Sequence, residues 1–366
     1  MKQGEHPLRM VLAGGGTGGH VFPAIAIAEE IMRRSGSNKV LFVGTARGIE
    51  HRVIPRAGYD LATVDVEGIK GRRVTDIMRS CAKLPKSMIQ SRSILRRFHP
   101  DVVIGVGGYA SGPVVMAAHM MGIRTAIAEQ NALPGMTNRI LGKFVDRCFM
   151  SFESTAGWCA KDKVRITGNP VRAAFFRPAH DVAKRGQGLT LAVVGGSQGA
   201  SGINRAVVEA LPFLGDLKDT LRIIHQTGAK DYETIARAYA GHHIPAEVQS
   251  FIEDVSAVYT VADLVVSRAG ATTLAEITAS GRASLLIPFP HAAGDHQTIN
   301  AKVLVDAGAA EMIQESALDG ERLAGTVRRL MNDPGKLHAM EDHSRKLGRP
   351  LAAFDIVDEC YMLAGL

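Results

Sequence analysis

One opening occurs twice in this chain. LRMVLAGGGTGGH begins at Leu8, and LTLAVVGGSQGAS begins at Leu189. Each is a short aliphatic run, then a glycine-rich turn, then a helix-type sequence. A strand buried on both faces of a parallel sheet reads as a continuous apolar run. A glycine turn leading into a helix is how a nucleotide-binding βαβ unit starts. Two such starts imply α/β architecture in two similar units around a cleft, rather than one large domain.

Length agrees, since 366 residues suit about two domains. Gly168-Asn169-Pro170-Val171-Arg172 reads as the junction, stiffened by Pro170. The units are therefore expected at 1–170 and 171–349. The tail, Leu351 to Leu366, reads as an amphipathic helix started by Pro350, and 350–366 is expected to pack back on the first unit. No apolar run is long enough to predict a transmembrane helix. The N-terminal residues lack the pattern of a signal peptide. Cys81, Cys148, Cys159 and Cys360 show no metal or redox spacing and are expected to be reduced.

Charge is unevenly divided. Residues 1–178 carry 26 Lys and Arg against 13 Asp and Glu, whereas the remainder carries 17 against 23. The first half is thus expected to meet something anionic. From Gly68 to Phe98 nine cations, Lys70 to Arg97, face one acid, Asp76, among interleaved apolar residues. That pattern suits an anionic membrane surface. Nucleic acid competes poorly, because aromatic platforms for bases are almost absent. A solvated face on a packed helix is the ordinary alternative.

Gly14, Gly16 and Gly19 fit the dinucleotide fingerprint, which alone is weak. Its usual companion is an acid ending the second strand, and Gly44-Thr45-Ala46-Arg47 has none. A nicotinamide dinucleotide is disfavoured, and with it a dehydrogenase. His20, after the loop, is either a general base or a polar contact, with loop packing as its ordinary role. Glu129-Gln130-Asn131 follows a strand and falls where open α/β sheets bind ligands.

In the second unit, Gly195-Gly196-Ser197-Gln198-Gly199-Ala200 is a phosphate-type turn. Leu264 to Val266 is strand-like, Gly270 makes the next turn, and Thr272 and Thr273 are placed to cap a helix. The first turn of a helix presents unpaired N–H groups and partial positive charge, a seat for a diphosphate. Glu276 is expected beside it, where a carboxylate can accept two ribose hydroxyls. Val248 to Ile252 reads as a strand whose end could offer backbone groups to a base. Gln297 could donate to and accept from sugar hydroxyls. His291 and His296 lack zinc-site spacing, so no metal is expected.

Taken together, GGGTGGHVFPA, GVGGYAS, AEQNALPG, GNPVR, GGSQGA, SRAGATTLAE and PFPHAAGDHQTINA span the chain in order. This set resembles the peptidoglycan glycosyltransferases that form lipid II, the undecaprenyl-diphospho-muramoylpentapeptide β-N-acetylglucosaminyltransferases. The resemblance implies a GT-B fold, two Rossmann-like domains with parallel sheets facing across a cleft. It implies an inverting, cofactor-free and metal-independent transfer of N-acetylglucosamine from its UDP donor to the 4-hydroxyl of lipid I. It further implies a peripheral location on the cytoplasmic face of the cell membrane, reached through residues 70–98. By the same resemblance Ser197 meets a phosphate, the first-turn amides of Ala271, Thr272, Thr273 and Leu274 meet the diphosphate, and Ala275 belongs to the same UDP-holding segment. Glu276 then holds the ribose, Ile252 the uracil through its backbone, and Gln297 the sugar. Asn131, Arg172 and the Thr17-Gly18-Gly19 loop complete the donor side from the first domain. His20 is the first candidate for the base and Glu129 the second.

Two other classes share these motifs. One is a UDP-sugar enzyme without a lipid acceptor, such as an epimerase. The other is a nucleotide-sugar sensor without turnover.

Overall fold

The structure, a computed structural model, describes residues 6–46, 48–66, 74–176, 188–196 and 199–366, with backbone alone at 74–83 and 156. Two compact units emerge, Met1–Arg172 with Pro350–Leu366, and Ala173–Arg349.

The first unit alternates strand and helix. In order these are β1 (Arg9–Gly14), α1 (Gly18–Arg34), β2 (Lys39–Gly44), α2 (Glu50–Arg56), β3 (Asp60–Thr63) and α3 (Val74–Phe98). Then follow β4 (Val102–Gly107), α4 (Ser111–Met120), β5 (Arg124–Glu129), α5 (Met136–Leu141), β6 (Arg147–Met150) and β7 (Val164–Ile166). The sheet is parallel, in the order β3-β2-β1-β4-β5-β6-β7. The order reverses between β1 and β4, the place where such sheets open a crevice. Alternate residues of β1 feed two apolar layers: Met10 and Leu12 face one side, Val11 and Ala13 the other.

The second unit repeats the plan with β8 (Leu189–Val194), α6 (Ser201–Ala210), β9 (Leu221–Gln226), α7 (Tyr232–Ala240), β10 (Ala246–Gln249) and α8 (Val255–Val261). It continues with β11 (Leu264–Ser267), α9 (Ala271–Ala279), β12 (Ala283–Leu286), α10 (His296–Asp306), β13 (Ala310–Met312), α11 (Gly320–Met331) and α12 (Pro334–Leu347). Its parallel sheet runs β10-β9-β8-β11-β12-β13, with the reversal between β8 and β11.

The last helix, α13 (Ala352–Ala364), belongs to the first unit. Ile356, Val357 and Cys360 are buried in the layer that holds Ala24, Ile27 and Ile31 of α1. Burying each such aliphatic side chain contributes about 1.5–3 kcal/mol. Polar ties fix the docking: Asn38 Nδ2 donates to Tyr361 Oη at 2.7 Å, and Glu359 accepts from Arg147 at 2.8 Å and Arg165 at 2.6 Å. Arg34 pairs with Asp358 and stacks over the Phe354 ring.

Several local expectations change. The helix after the first glycine turn begins at Gly18, so Gly18, Gly19 and His20 form its first turn rather than a loop. Strand β10 stops at Gln249, three residues short of Ile252. The short strands β3 and β6, four residues each, went unanticipated. Cys148 and Cys159 are paired as a disulfide, against the expectation of reduced thiols; the turns after β6 bring the second cysteine back beside the strand.

Candidate functional site

In the first unit the exits of β1 and β4 meet. Gly15 N donates to Gly107 O at 3.2 Å, and a Cβ on Gly108 would collide with the Gly15 carbonyl. The turn needs glycine for conformation as well, since Gly16 has φ +87°. His20 rises from the first turn of α1 with its ring against Gly107, where a Cβ would lie 2.6 Å from Cδ2. Its Nδ1 is 3.3 Å from Gly15 O and 3.2 Å from Thr17 Oγ1. A carbonyl only accepts, so the proton belongs on Nδ1 and the basic lone pair on Nε2.

The same turn holds an unforeseen group. Glu50, the first residue of α2, is fully buried beneath it. Its Oε2 accepts Gly16 N at 2.7 Å, and its Oε1 accepts Thr45 N at 3.0 Å and Thr45 Oγ1 at 2.9 Å. Burial pushes its pKa up, but these donors and its own amide outweigh burial and hold it below the ordinary glutamate value. The acid missing from the end of β2 thus arrives six residues after Gly44, and it faces the amides rather than a ribose.

Glu129 ends β5 and is also buried. One oxygen accepts Asn131 N at 3.0 Å and Asn131 Nδ2 at 3.3 Å; the other accepts Gly135 N and Asn138 Nδ2, each at 2.9 Å. Both oxygens are therefore engaged in folding the loop that presents Asn131. Arg172 lies with its guanidinium 5.5 Å from the Phe22 ring centroid, near Glu29. Thr17 and Gly19 are exposed at the start of α1, and Gly18 is partly covered.

In the second unit the exits of β8 and β11 are adjacent. Gly196 and Gly199 adopt φ of +84° and +75°, and a Cβ on Gly199 would strike Thr227 O. Ser197 lies outside the described residues. Gln226, buried at the end of β9, donates Nε2 to Gly196 O at 2.8 Å and accepts Ile252 N at 2.9 Å. The Ile252 amide is therefore already bonded within the unit.

Helix α9 starts at Ala271 after Gly270, with no side-chain cap, so Thr272 and Thr273 lie within the helix and do not cap it. The Leu274 amide bonds to Gly270 O at 3.0 Å, which confines the opening amides to Ala271, Thr272 and Thr273. Ala275 and Glu276 fall in the next turn, not the first. Glu276 lies close enough to the fully buried Tyr259 to add its charge to burial in raising that phenol's pKa. Gln297 Oε1 accepts Ala269 N at 3.2 Å and Phe289 N at 2.9 Å, so its oxygen is taken by two backbone amides. Beside it Arg268 pairs with Glu315 and donates to the carbonyls of Ile287 and Pro288.

The turn ahead of α6 is braced from below. Buried His225 donates Nε2–H to Asn204 Oδ1 at 3.1 Å and accepts from Tyr239 Oη at 3.0 Å. Asn204 Nδ2 donates to Thr227 O and Asp231 Oδ2, both at 2.8 Å, and Ser201 Oγ donates to Asp231 at 2.6 Å. Burial pushes the His225 pKa down to about 4, so it is neutral. None of Glu50, Gln226 or His225 carried a sequence signal of its role.

Comparison with known proteins adds independent findings. Residues 10–150 match the glycosyltransferase family 28 N-terminal domain, and residues 190–355 match the family 28 C-terminal domain. A protein of Syntrophus aciditrophicus is 55% identical over 98% of this chain and 99% of its own length. Another from Myxococcus xanthus is 52% identical over 96% of this chain and 92% of its own. Both are named UDP-N-acetylglucosamine--N-acetylmuramyl-(pentapeptide) pyrophosphoryl-undecaprenol N-acetylglucosamine transferase. The crystal structure of Acinetobacter baumannii MurG superposes with TM-score 0.78 at 31% identity, covering 97% of this chain and all of that one.

Proposed function

The chain belongs to glycosyltransferase family 28, and we propose that it moves N-acetylglucosamine from UDP-N-acetylglucosamine to lipid I, undecaprenyl-diphospho-N-acetylmuramoyl-pentapeptide, giving lipid II. The structural observation behind the reading is the opposite state of the two glycine turns. In the first unit the amide of Gly16 is taken by the Glu50 carboxylate. In the second unit the turn at Gly196 is held through its carbonyl by Gln226 Nε2, and α9 opens at Ala271 without a side-chain cap. A diphosphate is repelled from the first seat and drawn to the second.

UDP accordingly lies on the second unit. The Ala271–Thr273 amides and Ser197 face the diphosphate, Glu276 the ribose, the Ile252 carbonyl the uracil N3–H, and Gln297 Nε2 the sugar. The acceptor's 4-hydroxyl attacks the anomeric carbon as the bond to the diphosphate oxygen breaks, which inverts that carbon. Negative charge grows on the departing UDP, where a preorganised donor is worth roughly 2.7–4 kcal/mol. The hydroxyl proton passes to His20 Nε2. Glu129, with both oxygens engaged, organises the loop that presents Asn131. Arg172 and the Thr17–Gly19 turn serve the same reaction from the first unit.

The first unit rests on the cytoplasmic face of the membrane that carries lipid I. Supporting this, Ile89, Met120, Met136, Ile140 and Phe144 are exposed on or just after helices α3, α4 and α5, with Lys86, Arg92, Arg139 and Lys143 exposed nearby. Arg79 and Lys83 lie where only backbone is described, and Lys70, Arg72 and Arg73 lie outside the described residues. No helix among the described residues is long and apolar enough to cross a membrane.

The test is UDP release by the purified protein given UDP-N-acetylglucosamine with and without a lipid I analogue. Release that depends on the acceptor, with a disaccharide product, supports the reading. Epimerised donor, or no turnover despite UDP binding, overturns it.

A further inference from the structure

Three glycines from three segments surround one carboxylate. A Cβ on Gly15 would lie 2.5 Å from the Glu50 carboxyl carbon, one on Gly44 2.7 Å from its Cγ, and one on Gly48 closer still. Gly15 follows β1, Gly44 ends β2 and Gly48 leads into α2. An ordinary solvated glutamate needs no such clearance. Removing a carboxylate from water is costly unless donors replace the solvent. Here three donors do so, two backbone amides and the Thr45 hydroxyl. The cleared space and the donors together form a built anion seat whose occupant is part of the chain.

The seat connects to the reacting end of this unit. Gly16 N bonds Glu50, and the adjoining Gly15 carbonyl bonds His20 Nδ1. We propose that Glu50 is a positioning residue: it occupies the phosphate seat of the first glycine turn and, through Gly15 and Gly16, sets the His20 imidazole toward the acceptor. Its role in turnover rests on the reading of His20 as base; its role as the seat's occupant does not. Nothing covalent happens at Glu50.

The test uses Glu50→Ala and Glu50→Gln in the full chain. Alanine removes the equivalent of one acetate, so acetate at matched ionic strength should refill the space. In Glu50→Ala kcat should fall about 10- to 100-fold, as expected for a misplaced reacting group. The UDP Kd should stay within about twofold, because the donor binds elsewhere. Acetate, but not chloride, should raise both the thermal midpoint and kcat of Glu50→Ala and neither in the wild type. Glu50→Gln keeps the volume but offers one acceptor oxygen, so it should fold and lose kcat without answering to acetate.

Wild-type kcat in both variants overturns the positioning role. A midpoint of Glu50→Ala indifferent to acetate overturns the seat. If Glu50→Ala does not fold, Glu50→Gln with unaltered kcat overturns the proposal alone. If the wild type transfers no sugar, the function assigned above fails, and the acetate-dependent midpoint still decides whether the seat exists.

Discussion

Gln226 Oε1 accepts the backbone N–H of Ile252 at 2.9 Å while its Nε2 donates to Gly196 O at 2.8 Å. One buried amide thus ties the phosphate turn to the backbone assigned to the uracil. Cutting the tie in Gln226→Ala leaves a buried N–H unpaired, which costs about 1–3 kcal/mol. Denaturant unfolding should show that loss. Calorimetry should show UDP binding weakened about tenfold, the equivalent of 1.4 kcal/mol. Unchanged affinity would mean the two segments hold their places independently.

Glu276 is one turn further into α9 than the amides proposed for the diphosphate, and the ribose is the part of the donor proposed for it. Glu276→Ala should raise the KM for UDP-N-acetylglucosamine by one to two orders of magnitude, roughly the loss of one or two hydrogen bonds to a charged group. The KM for the lipid acceptor should hardly change. Steady-state kinetics with each substrate varied in turn separates these outcomes, and equal effects on both would remove the ribose assignment.

His225 makes stability depend on pH. Its folded pKa of about 4 lies below the ordinary value of 6.5, so the native state takes up its proton later than the unfolded chain. Above pH 6.5 the group is neutral in both states and imposes no penalty. As pH falls from 6.5 toward 4 the unfolded state gains a proton that the folded state refuses, and stability drops by about 3 kcal/mol in all. Urea unfolding at pH 7 and pH 4.5 should show a smaller decline in His225→Gln than in the wild type. Identical declines would mean that other groups set the acid limit.

The exposed apolar residues following β5 and on α4 supply the membrane test. Met136 and Met120 are 76% and 70% exposed. Met136→Asp should release protein from vesicles containing anionic lipid in a sedimentation assay, while UDP affinity stays constant. Raising salt should weaken the wild type as well, because the basic fringe is screened. Vesicle binding that ignores both changes would place the contact elsewhere.

Long, repetitive features were legible in the sequence. Strand β8 spans Leu189–Val194 as the apolar run predicts, and the two glycine turns stand at the two sheet reversals. Strands β3 and β6 were not: their sequences, DLAT and RCFM, lack the aliphatic run that marks the equally short β11. The site was legible as residue types but not as bonding. Sequence places Thr272 and Thr273 where caps belong, yet Gly270 holds the cap position and the threonines fall inside the helix. It suggests Gln297 as both donor and acceptor, but two backbone amides consume its oxygen. Glu50 escaped notice because the fingerprint seeks an acid at the strand end, whereas a loop and the start of a helix carry this one back under the turn. Such commitments depend on contacts between segments distant in the chain, which local pattern cannot display.

Helix α13 has a consequence for biosynthesis. The second unit is encoded without interruption from Ala173 to Arg349, but the first must wait for residues beyond Pro350 before α1 is fully covered. Domains emerging from a ribosome ordinarily mature from the N-terminus onward. Here the earlier-made unit is the later one to finish, and until its closing segment is translated the flank of α1 stays bare to solvent and to chaperones.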